Sequence, residues 1–106
     1  MSGGGAKRSL RIHREATFEL RRAAAWYEER RAGLGDQVVL AFDGAVNDIV
    51  LAPEPWPAFA GLRRYMLDRF PYNIVFRFDD DQIEVLAFAH HRRRPDYWRR
   101  RVDPGR

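Results

Sequence analysis

The sequence predicts a single α+β domain in the order β-α-α-β-β-β, a helical hairpin packed on a small, mostly antiparallel sheet. Three observations carry this prediction. Apolar residues recur at helical spacing from Ala16 to Ile49. From Gly61 onward the period shortens to two. Between these segments stand clusters that interrupt regular structure: Gly33-Leu34-Gly35, then Pro53, Pro55 and Pro57, then Asp79-Asp80-Asp81.

Taken in order, residues 9–14 alternate, with Leu10 and Ile12 apolar and Arg11 and His13 polar. That pattern predicts a short strand with one buried face. A helix opens at Glu15 or Thr17. Ala16, Leu20, Ala23, Ala24 and Tyr27 fall on one side of it, while Glu19, Arg22, Glu29 and Arg30 are expected mostly on the other. Gly33 and Gly35 end this helix, and the short connection folds the next one back antiparallel. Asp36 is the expected N-cap of the second helix. Val38, Phe42, Ala45, Val46 and Ile49 form its buried stripe, and the three prolines after Ala52 end it. Strands are expected over residues 62–70, 72–78 and 82–89, broken at Phe70-Pro71 and turned at the three aspartates. The aspartates read as a solvated turn, since a calcium loop spreads its ligands over about twelve residues. In the last strand, alternation sets Ile83, Val85, Ala87 and Ala89 against Glu84, Leu86, Phe88 and His90. Both faces hold apolar groups, so this strand is interior, with the first strand expected beside it.

A chain of 106 residues suffices for one domain. Such a domain buries roughly 60–70% of its unfolded surface. Hydrophobic residues at 45% and aromatic residues at 13% fit a packed core and exclude a disordered chain. No cysteine is present, which excludes disulfides, thiolate zinc sites and cysteine nucleophiles and fits a cytoplasmic setting. Residues 1–8 read as a disordered leader without the apolar core of a signal peptide, 9–101 as the domain and 102–106 as a tail. No run approaches the ~20 apolar residues of a membrane span, so no membrane partner is expected.

Charge concentrates at one end. From His90 onward there are seven arginines and two aspartates, a net +5; the whole chain is +4, so the remainder sums to −1. This stretch interleaves His90, His91, Tyr97 and Trp98 with the arginines, which suits an anionic partner, nucleic acid or acidic protein. His90 and His91 are adjacent on a strand and point to opposite faces, so they do not share a metal ion; no metal and no cofactor are expected. The sequence has no Gly-rich phosphate loop, G-x-S-x-G or H-E-x-x-H motif. Two readings of the stretch stay open. In one, His90 or His91, Tyr97, and Arg77 or Arg92 supply the proton transfers and the cation for metal-free RNA cleavage. In the other, His90 closes the strand, Tyr97 and Trp98 pack on the sheet, and the arginines hold a partner's carboxylates.

The run Leu20-Arg21-Arg22-Ala23-Ala24-Ala25-Trp26-Tyr27-Glu28-Glu29-Arg30, followed by Gly33-Leu34-Gly35-Asp36, resembles the helical hairpin of the RelE/ParE toxin superfamily. So do Pro53-Glu54-x-Trp56-Pro57, Arg63-Arg64-Tyr65, Arg69-Phe70-Pro71-Tyr72 and the ending Ala89-His90-x-Arg92-Arg93-x-Pro95-x-Tyr97-Trp98. The likeness spans residues 9–101. It implies a toxin of a bacterial type II toxin–antitoxin pair, held inactive as a hetero-oligomer by a cognate antitoxin whose extended segment wraps it. It also implies a target- and antitoxin-binding surface of Arg64, Arg69, Arg92, Arg93, Arg94, Tyr97 and Trp98. RelE-like members cut mRNA on the ribosome, and ParE-like members poison DNA gyrase. The nuclease pattern places cations where this chain has Tyr65, Leu67 and Asn73, while His91, Arg92 and Tyr97 match its C-terminal positions. The resemblance therefore points to the ParE-like group, with the ribonuclease as the alternative, for which His90, His91, Arg77, Arg92 and Tyr97 are the catalytic candidates.

Overall fold

A computed structural model describes residues 8–93 and 97–102. Along the chain run β1 (Ser9–Ile12), α1 (Arg14–Arg30), α2 (Leu34–Leu51), β2 (Ala58–Phe59), β3 (Leu62–Met66), β4 (Tyr72–Phe78), β5 (Gln82–His90) and α3 (Arg99–Val102). The sheet order is β1-β5-β4-β3-β2, parallel between β1 and β5 and antiparallel elsewhere. The α1–α2 hairpin covers one sheet face, and the α+β class follows as the sequence predicts.

The hairpin forms through an uncommon cap. His13 precedes α1 and its Nδ1 accepts from the Glu15 N–H at 3.1 Å. At the far end the Glu28 carboxylate accepts from the N–H groups of Gly33 at 3.0 Å and Gly35 at 2.9 Å. These are among the donors that a helix start leaves unpaired. Glu28 thus does the work expected of Asp36, which lies inside the first turn of α2. Gly33 holds φ at 92°, a left-handed value that glycine adopts without strain. Gly35 is needed for space, because a Cβ there would stand 2.8 Å from the Ala24 carbonyl oxygen.

Val38, Phe42, Ala45, Val46 and Ile49 are buried, as their spacing predicts, against Ile74, Phe76, Ile83, Val85 and Phe88. The opposite sheet face carries a second cluster: Leu62, Val75, Leu86, Ala87, Ala89 and Trp98. Strict alternation had Phe88 facing away from Ile83 and Val85. A bulge corrects this: Val75 pairs with Ala87 and Phe76 with Val85, so Leu86 is the extra residue. The extra residue resets the alternation and returns Phe88 to the hairpin side.

Other departures have similar local causes. β3 stops at Met66 because the Leu67 N–H turns back to the Tyr72 carbonyl at 3.0 Å, burying Leu67 and Phe70 in the bend. β1 is an edge strand too short to be covered, so Leu10 and Ile12 stay exposed and the expected buried face is absent. β2 and α3, two and four residues long, are too short for periodicity to signal. Ala60 and Gly61, with φ of 49° and 80°, turn β2 into β3. The three aspartates form the β4–β5 turn, where Asp79 Oδ1 accepts from the N–H groups of Asp81 and Gln82.

Candidate functional site

β1 ends at Ile12, in register with Val85, so β5 continues with its outer edge uncovered by any strand among the described residues. Side chains complete that edge. Glu19 of α1 places Oε1 2.9 Å from the Phe88 N–H, and Arg101 of α3 donates from Nη1 to the Leu86 carbonyl at 3.0 Å. The two side chains also meet each other in a two-pronged ion pair, Nη1 to Oε1 at 3.0 Å and Nη2 to Oε2 at 2.9 Å. The Tyr97 hydroxyl donates to Glu19 Oε2 at 2.7 Å. One carboxylate therefore accepts from three residues, and joins helix, strand and C-terminal segment. Burial, then the hydrogen bond to Glu19, push the Tyr97 phenol well above its ordinary value. Its ring lies between the guanidiniums of Arg93 at 3.8 Å and Arg101 at 5.1 Å.

Between α1 and this edge runs a groove of about 530 Å³. Its floor is aromatic: Tyr72 stacks on Phe88 with ring centres 4.6 Å apart, and His90 meets Tyr72 edge-on at 5.1 Å. Its helical wall presents Phe18 and Trp26, each half exposed, with Arg22 over Phe18 and Arg30 over Trp26. Arg93 and Arg101 line the other side. An apolar aromatic trough edged by guanidiniums suits an extended acidic and apolar peptide. His90 enters with Nδ1 accepting from the Arg92 N–H at 3.0 Å. Burial foremost, then His91 and Arg92, holds its imidazole below the usual range.

The family described as ParE toxin of type II toxin–antitoxin system, parDE, matches residues 10–95. The chain belongs to the ParE toxin family. Among solved structures it is similar to a chain of the chromosomal ParDE toxin–antitoxin system from P. aeruginosa, with a TM-score of 0.71 at 20% identity over 79% of this chain and 96% of that one. No curated protein matches the sequence. Membership in a type II toxin family gives the chain an antitoxin as partner, and the match lies with the ParE branch rather than with the ribonucleases. No helix among the described residues is long and apolar enough to cross a membrane.

In this ParE toxin the residues singled out by sequence divide into three places. His90 and Arg93 line the groove, Tyr97 adjoins it through Glu19 and Arg93, and Arg92 and His91 are exposed just beyond it. Arg77 is elsewhere: it pairs with Glu84 at 2.8 Å, on the face away from the hairpin and six strand positions from His90. The nuclease set of His90, His91, Arg77, Arg92 and Tyr97 is thus not brought together. Trp98 is not a surface residue but is buried at 3% exposure against Phe59, because the segment after it packs on the sheet. Arg69 reaches Gln37 at 2.6 Å, and Arg64 lies over Phe59. Arg94 lies outside the described residues. Tyr65 bonds to Asp48 on the hairpin side, pushed up to about 12 by burial first and then by Asp48. Among the described residues no three His, Asp or Glu side chains gather as a metal site.

Sequence reasoning missed Glu19 and Arg101. A signal was present for Glu19: it stands three after Ala16 and four before Ala23, both fully in the core, so helical spacing already placed a carboxylate in the apolar stripe. For Arg101 there was none, because it lies in a run of three arginines.

Proposed function

We propose that this toxin acts by binding DNA gyrase and blocking replication, and that an extended antitoxin segment silences it from the groove between α1 and the outer edge of β5. The observation that carries the reading is the state of Tyr97. Its phenol is spent on Glu19 and its proton is held more tightly than in water, so it is poorly suited to take a proton from a ribose hydroxyl at neutral pH. Arg77, the strand cation of the nuclease alternative, is committed to Glu84. What remains at the groove is a surface for recognition: exposed rings and guanidiniums around a concave aromatic floor.

Induced expression in a bacterium, with labelled precursors followed into DNA and protein together, tests the proposal. DNA synthesis should stop first with mRNA intact. Protein synthesis stopping first, with mRNA cut at ribosomal A sites, would replace the gyrase reading by the ribonuclease. The antitoxin placement has its own check. Trp26→Ala and Arg22→Ala should weaken antitoxin binding at least tenfold while toxicity persists, and the affinity should fall with salt. Unchanged affinity in both variants would remove the segment from the groove.

A further inference from the structure

The face of the sheet turned away from the hairpin holds two cavities on either side of Trp98. One, of about 110 Å³, is bordered by Arg64 and Arg93. The other, of about 360 Å³, is bordered by Arg77, Arg99 and Arg100. Among the described residues no carboxylate lines either cavity, whereas Glu15 and Glu19 both line the groove on the hairpin side. The two sides of the protein therefore differ in chemistry. The groove is mixed and aromatic; this face presents exposed guanidiniums, with Glu84 buried beside Arg77. Arg77 is partly neutralised by Glu84, but Arg64, Arg93, Arg99 and Arg100 are exposed and make no ion pair among the described residues.

The smaller cavity has a second feature. Asn73 lines it, and Asn73 Oδ1 is buried with no hydrogen-bond donor among the described residues within reach. A buried acceptor left without a donor costs free energy that a ligand N–H recovers. The half-buried ring of Phe59 borders the same space. Planar guanidiniums, an aromatic ring and an acceptor calling for an N–H donor match the three parts of a nucleotide strand: phosphate, base face and base edge. Residues 73 and 77 lie four positions apart on β4, roughly 13 Å at strand rise, so the two cation groups are spaced for separate phosphates of one strand rather than for a single phosphate.

We propose that this face binds a single-stranded nucleic acid, its phosphates on Arg64 and Arg93 at one end and on Arg99 and Arg100 at the other, with one unpaired base donating to Asn73 Oδ1. A duplex fits less well, because two separate concavities accept splayed groups and a paired base keeps its hydrogen-bonding edge. The inference shares Arg93 with the border of the antitoxin groove but otherwise uses the opposite sheet face, and it is read on purified toxin, so it stands or falls apart from the gyrase reading.

The test is fluorescence anisotropy of a labelled, mixed-sequence DNA strand of about 12 nucleotides, a length within the range of single-strand sites. Saturable binding is expected, with a log–log salt slope of about −3 for four phosphate contacts at roughly −0.7 each. Arg64→Ala/Arg93→Ala and Arg99→Ala/Arg100→Ala should each weaken binding about tenfold or more and reduce the slope by about half. All four side chains are exposed, so folding should persist and circular dichroism checks it. Asn73→Val should weaken binding without changing the slope. Arg21→Ala/Arg31→Ala, with equal charge removed from the hairpin side, should bind as the parent does. The proposal is overturned if that control loses as much affinity, if polyglutamate of equal charge displaces the strand as well as unlabelled DNA does, or if no saturation occurs up to roughly 10⁻⁴ M protein.

Discussion

Replacing Glu19 by alanine removes the acceptor that three residues share. The side chains of Glu19 and Arg101 are only 14% and 12% exposed, so the loss resembles breaking a buried ion pair. Removing one partner of such a pair costs about 3–5 kcal/mol. Arg101 keeps its bond to the Leu86 carbonyl, but Tyr97 and the Phe88 N–H lose theirs, which places the expected cost near 3 kcal/mol. For a domain of this size that corresponds to a drop in Tm of about 12–24 °C. Urea unfolding followed by circular dichroism at neutral pH measures it. Glu29→Ala is the control, because that side chain is 76% exposed and its pair with Arg30 contributes about 0–1 kcal/mol. A double-mutant cycle of Glu19→Ala with Tyr97→Phe should give a coupling of at least about 1 kcal/mol. If Glu19→Ala stays within about 1 kcal/mol of the parent, the pair is not holding the edge of β5 and the reasoning fails.

The remaining predictions concern the hairpin and the second core. Gly35→Ala forces a Cβ against the Ala24 carbonyl and should destabilise by about 1–3 kcal/mol, whereas Gly44→Ala, in open space on the same helix, should stabilise by about 0.5–1 kcal/mol; thermal melts compare them. Backbone donors from Gly33 and then Gly35 hold the Glu28 carboxyl below its ordinary value of 4.5. A depressed folded pKa means that this contribution is complete above the unfolded value and is lost as pH falls through the folded one. Stability of the parent should therefore decline below about pH 4.5 more steeply than that of Glu28→Gln, as an acid titration of unfolding would record. Trp98→Ala should cost about 3–5 kcal/mol by the same denaturation, against about 1–2 kcal/mol for Tyr97→Phe, which loses a hydrogen bond and little packing.

What the sequence disclosed follows from how each feature is encoded. The helical hairpin was legible because five residues of α2 repeat at helical spacing and all five are buried. The three long strands were legible from period two, yet the same rule misplaced Phe88, since a bulge adds one residue without leaving a compositional mark. Asp36 looked like a cap because caps are sought just before a helix, whereas Glu28 supplies the carboxylate from the preceding helix across a turn. At the candidate site His90 and Tyr97 stood out by residue type. The ion pair that organises them joins residues 82 apart, and no local pattern records a contact of that separation. Arg77 was grouped with the histidines through sharing a sheet, but strand order and pleat place it on the other face and near the other end.

The union of Glu19 with Arg101 also orders events in time. Translation must run past Arg101, and that residue must clear the ribosome, before the outer edge of β5 can close. The hairpin and the β3–β5 meander rely on nearer neighbours and can assemble earlier, while a closure spanning most of the chain is entropically costly and comes last. During that interval Leu86 and Phe88 present an unsealed strand border to their surroundings, a natural place for another chain to pair. A nascent toxin is therefore most adhesive just before this edge closes, and an antitoxin already present would meet it at that stage.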